Sequence, residues 1–166
     1  MPAAKFDYNL DYKNLNLRKN PELYRTGIGE QGVLLVEPYK SEILPYWKFK
    51  NPDVAQKSAR SIYKLFLKYK KETDFVGMDM ARKFLQMGYT RSRRYANHRS
   101  GKKYDGPVPM DKKGVSGAHG RKELPKEIDE IKALSAEVFF KTWQKVKEDK
   151  IYSKLLREHK AMYATN

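Results

Sequence analysis

The sequence predicts a mostly helical α+β fold: an N-terminal arm, with room for a small two- or three-stranded sheet, packed on about five helices. Three observations carry that expectation. From Pro52 onward apolar residues recur at intervals of three and four, the spacing of a buried helix face. Asn51, Asp74, Thr90 and Asp149 stand where side-chain oxygens can cap helix starts. Val33-Leu34-Leu35-Val36, set between turn signals, reads as a short buried strand.

The elements follow in order. Phe6 to Arg25 has no steady period and reads as an extended arm anchored by aromatics, with Pro21 at a helical first turn. Gly27-Ile28-Gly29-Glu30-Gln31-Gly32 is a glycine-dense turn, after which the 33–36 strand needs partners from the preceding segment or from Tyr46 to Phe49. Pro38 and Pro45 bracket a helical turn at Ser41 to Leu44. A helix from about Pro52 to Lys70 carries Ala55, Ala59, Ile62, Phe66 and Tyr69 inward, with Lys57, Arg60, Lys64, Lys68 and Lys71 on its outer side. Asp74 opens a second helix that ends at Gly88, and Thr90 opens a third from Arg91 to about Arg99, so the two form an angular pair of helix-turn-helix type. Residues 101–120 hold five glycines, two prolines and four lysines, which predicts a long loop. Pro125 starts a helix reaching about Lys147, and Asp149 starts a last one through Met162.

A chain of 166 residues is long enough for one core and short for two. One domain over 1–166 is therefore expected, with an irregular part at 1–50, helices at 51–100, a basic glycine-rich loop at 101–122 and C-terminal helices at 123–166. Cysteine is absent, which excludes a disulfide framework and thiolate metal ligands. Met1 to Tyr12 is polar and of mixed charge, unlike a secretory signal, and no apolar run approaches membrane-spanning length; the expectation is a cytoplasmic protein with no membrane partner.

Charge is the strongest functional signal. The formal net charge is +15, and residues 82–122 alone hold twelve Lys and Arg against two Asp. A polyanion surface is the reading, with DNA or RNA bound chiefly through phosphates. The residues assigned to it are Arg82, Lys83, Arg91, Arg93, Arg94, Tyr95, Asn97, His98, Arg99, Lys102, Lys103, Lys112 and Lys113. Arginine can fork onto phosphate, tyrosine can stack on a base and Asn97 can read an adenine edge. Two other classes stay open: a structural or protein-interaction module using the same cations against an acidic partner, and a phosphodiester-processing enzyme using Glu30, Glu37 and His98 or His119.

Competing motifs are weak. Gly27, Gly29 and Gly32 satisfy G-x-G-x-x-G, but no strand precedes them and no helix follows, so they read as a tight turn. His98, His119 and His159 have no metal-ligand spacing, and neither a metal nor a cofactor is expected.

Longer strings carry a resemblance. Pro21 to Arg25, Gly29 to Leu34, Val36 to Pro45 and Phe75 to Arg91 resemble the signature of a small "domain of unknown function" family of soluble proteins in bacteria, their viruses and some fungi. It covers nearly the whole chain and implies a single domain, without supplying an activity or a catalytic residue.

Overall fold

The computed structural model describes residues 5–97 and 129–163, in which all regular secondary structure is helical and turns and irregular segments make up the rest. Among the described residues five α-helices follow in order: α1 (Tyr39–Ile43), α2 (Pro52–Lys71), α3 (Phe75–Asn97), α4 (Glu130–Lys147) and α5 (Lys150–Met162). Two 3-10 turns, Pro21–Leu23 and Leu44–Tyr46, punctuate the first third.

Helix starts obey local chemistry. The Asn51 side chain accepts from Val54 N at 2.9 Å, with Pro52 directly behind it, so α2 begins where an otherwise orphaned amide finds a partner. Asp149 accepts from the amides of Ile151 and Tyr152 and opens α5 in the same way. Asp129, which caps α4 through Ile131 N and Lys132 N, also donates its own amide to Ala96 O at 2.6 Å. That bond ties the start of α4 to the end of α3.

α3 is the central helix. Residues 76–81 are buried without interruption, a pattern that only a helix covered on all sides can carry. α2 and α4 flank it, while α1 and α5 pack near its N-terminal part. Phe66, Tyr69, Met78, Met80, Phe84 and Phe139 are fully enclosed in the shared core.

Two expectations fail. The β component is absent among the described residues, because Val33 to Val36 closes its hydrogen bonds locally: Val33 N donates to Glu30 O, Leu35 N to Gly32 O and Lys40 N to Val36 O. Gly32 adopts φ +78°, and a Cβ there would fall 2.0 Å from the Phe6 ring, so a coiled turn seals under the arm instead of extending. The second failure is the helix-turn-helix break: α3 runs straight through Gly88 and Thr90. Gly88 lets α4 approach so closely that a Cβ would lie 2.5 Å from Phe139 Cδ1, and burial of that ring holds the helix continuous. The Thr90 hydroxyl turns back to Met87 O at 3.3 Å, a bond available inside a helix, so it does not cap a new one.

The start of the fourth helix also differs, since Asp129 is its N-cap where Pro125 was expected to lie in its first turn. Pro125 and the 101–122 loop lie outside the described residues.

Candidate interaction surface

Basic side chains divide into an inner and an outer set. The inner set surrounds Asp79, whose carboxylate is completely buried. It accepts from the Tyr24 hydroxyl, from the Tyr152 hydroxyl at 2.6 Å and from Arg82 Nη2 at 2.8 Å and Nε at 3.1 Å. Arg82, with 12% of its side chain exposed, also donates through Nη1 to Gly29 O at 2.6 Å and Gln86 Oε1 at 2.8 Å. One carboxylate thus gathers the segment before α1, α3 and α5. Burial pushes Asp79 up, but the Arg82 and Lys83 charges and the two tyrosine hydroxyls outweigh it and hold the carboxyl down at about 2.

Lys83 is enclosed beside it, with no exposed surface. Its Nζ donates to Gln31 O at 2.6 Å and lies 5.2 Å and 5.1 Å from the ring centroids of Phe6 and Tyr24. Burial brings its amine down to about 7 against the opposing pull of Asp79. The two ring faces also favour the charged form, yet desolvation on every side dominates. Glu30 accepts from the Thr90 hydroxyl at 3.0 Å; burial raises its carboxyl, and the Thr90 bond with Arg91, Arg94 and Arg82 only partly offsets that.

A second cluster repeats the design. Arg18 forks onto Glu42 with two bonds of 2.7 Å and approaches Asp74 at 3.5 Å. Tyr39 donates to Asp74 and Tyr69 to Glu42. Lys70 pairs with Asp149 at 2.7 Å and so joins α2 to α5. Asp74 and Asp79, five apart on one sequence, serve two different clusters on different sides of α3.

These contacts overturn the nucleic-acid reading. Arg82 and Lys83 point inward, and Arg18, Lys70 and Arg82 each hold an acid of the same chain. Arg91, Arg93 and Arg94 are partly buried, Arg93 bonding Asn97 Oδ1 at 3.4 Å. Tyr95 packs against Phe49, ring centroids 5.8 Å apart, with Lys132 above it. His98, Arg99, Lys102, Lys103, Lys112, Lys113 and His119 lie outside the described residues. Among the described residues, the assigned cations therefore form no exposed basic patch, and a nucleic-acid partner loses its support. The physical reason is that a contiguous count of charge says nothing about direction: successive residues of α3 point all round a helix whose central part is covered on every side.

The enzyme candidates are also held structurally. Glu37 accepts from Ser41 N and Oγ at the start of α1, and Glu30 is tied to Thr90. Among the described residues no group of three or more His, Asp or Glu is placed to hold a metal ion. None of the described helices is long and apolar enough to cross a membrane.

Exposed cations occur on several elements, Lys145, Lys147, Lys150 and Lys154 among them, and a regular row of them lies on α2. Lys57, Arg60, Lys64, Lys68 and Lys71 are all exposed, and at 100° per residue they fall within an arc of about 80° over about 21 Å of helix. Asp53 precedes the row and Glu72 follows it. Among the described residues none of the five forms an ion pair. The opposite face of the helix is buried, so the row is fixed in direction by the core.

The chain belongs to the family described as domain of unknown function DUF4385, whose profile matches residues 7–162. The resemblance read from the sequence holds at that level. No curated protein and no solved structure matches the chain.

Proposed function

We propose that this DUF4385 member is a protein-interaction module that engages an acidic partner protein through the cationic row of α2. The observation that carries this reading is the contrast between the two sets of cations. Those of the interior are matched one by one with carboxylates and carbonyls, while Lys57, Arg60, Lys64, Lys68 and Lys71 stand in line without an ion pair among the described residues, Lys68 alone acting from a distance on the Glu42 carboxylate. An acidic helix or extended acidic segment laid along the row would meet a positive charge at each turn of α2. Four of the five are lysines, point charges on flexible stems that suit carboxylates of varied position. The same reading takes the chain as one domain working in the cytoplasm.

Fluorescence anisotropy with labelled poly-glutamate, at low and high salt, tests it. Binding that weakens steeply with salt is expected, because the charges are exposed and screened. An oligonucleotide of equal charge serves as the competing probe. Failure to bind poly-glutamate, or a clear preference for the oligonucleotide, overturns the reading.

A further inference from the structure

The groove between α3 and α4 is a different surface with a different chemistry. It measures about 630 Å³ and is lined by Tyr89 and Arg93 of α3 and by Glu130, Ala133, Leu134, Glu137 and Phe140 of α4. Leu134 is 53% exposed and Phe140 41%, so two large apolar side chains of α4 open onto it. Phe140, Tyr89 and Trp143 form one aromatic group under the groove, with ring centroids 5.3 to 6.0 Å apart. Exposed singly such residues are ordinary; gathered around one groove and rimmed by charge they mark an association surface.

Charge selects the occupant. Arg93 faces the same groove as Glu130 and Glu137, yet forms an ion pair with neither. Glu137 contacts Lys141 at 3.4 Å with both side chains well exposed, and Glu130 forms no ion pair among the described residues. A patch that carries both signs around an apolar centre, with Glu137 held only by an exposed contact to Lys141, is complementary to itself under a two-fold rotation. On a chain of net charge +15 most faces repel a second copy, and this groove, with two glutamates against one arginine, is a place where that repulsion is relieved.

We infer that the α3/α4 groove is a homodimer interface in which Leu134 and Phe140 of two copies pack about a two-fold axis and Arg93 of each copy pairs with Glu137 of the other. The interface is isologous, so every contact occurs twice and each substitution acts twice. It is independent of the acidic-partner reading, since it uses no residue of the α2 row.

Sedimentation velocity over a wide concentration series tests it on the full chain. The expected result is a species of two copies at high concentration, dissociating on dilution. Leu134→Glu places like charges at the centre and should leave one copy at every concentration; its exposed position keeps the fold intact, which circular dichroism checks. Arg93→Glu and Glu137→Arg should each weaken the dimer at least about tenfold, and the two together should restore it, because like charges across an interface are strongly unfavourable. A single-copy mass for the unsubstituted chain throughout assigns the face to some other occupant and overturns the inference. So does a dimer that survives Leu134→Glu, or a double swap without recovery.

Discussion

Lys83 Nζ donates to the Gln31 carbonyl at 2.6 Å, joining α3 to a turn 52 positions earlier in the chain. The neighbouring Arg82 does the same for Gly29 O. Two consecutive cations therefore fasten the glycine turn to the central helix, and the Asp79 carboxylate between the tyrosines balances them.

Removing that balance should be severe. Asp79→Asn leaves the Arg82 guanidinium nearly enclosed without its counter-charge, and a loss of about 3–5 kcal/mol is expected. Lys83→Met removes the buried donor to Gln31 O, for about 1–3 kcal/mol. Urea unfolding of both variants should give this order.

Stability should rise with pH above neutrality. Lys83 sits at about 7 in the fold, against about 10.4 in an unfolded chain. Between those values the unfolded chain holds a proton that the folded chain does not, so raising the pH favours the fold. His159, lowered by burial despite its bond to Tyr24 O, acts below about 6.5. The buried tyrosines, whose hydroxyls burial pushes up, act only as the pH nears about 10, so the interval from about 7 to about 9 belongs to Lys83. Asp79 acts at the acid end: its contribution is complete above about 4 and is lost as the pH falls toward about 2. Denaturation at pH about 7 and about 9 should show the rise in the unsubstituted chain and a flatter profile in Lys83→Met.

Close approach of α3 and α4 should depend on Gly88. Gly88→Ala puts a methyl 2.5 Å from the Phe139 ring, and a loss of about 1–3 kcal/mol is expected. Phe139→Leu in the same chain should recover part of it, so thermal melts of the two single variants and the pair should be non-additive.

The cap of α2 sets the start of the cationic helix. Asn51→Ala removes the bond to Val54 N and should lower stability by about 1 kcal/mol, read from the urea midpoint.

Much of the helical layout was legible. Asn51, Pro52 and the spacing of Ala55 to Tyr69 place α2 within a residue, and Asp149 places α5. These are local signals, in which a side chain acts on its own turn of backbone. What escaped was decided at a distance. Gly88 resembles a helix end until Phe139 is brought against it, and Val33 to Val36 resembles a strand until Phe6 covers Gly32. The buried cluster escaped for the same reason, since Tyr24, Asp79 and Tyr152 meet from far apart in sequence. Arg82 and Lys83 gave the stronger charge signal yet turned inward. The lysines of α2, spread through a regular amphipathic pattern, gave the weaker one and stayed outside. Direction was readable there because the apolar stripe of the same helix fixes it.

The most direct measurement is binding of labelled poly-glutamate to a chain in which Lys57, Arg60, Lys64 and Lys68 are all replaced by Glu. An interaction through the α2 row predicts complete loss of the salt-sensitive anisotropy change with a thermal melt close to that of the unsubstituted chain. Undiminished binding by the charge-reversed chain would contradict it.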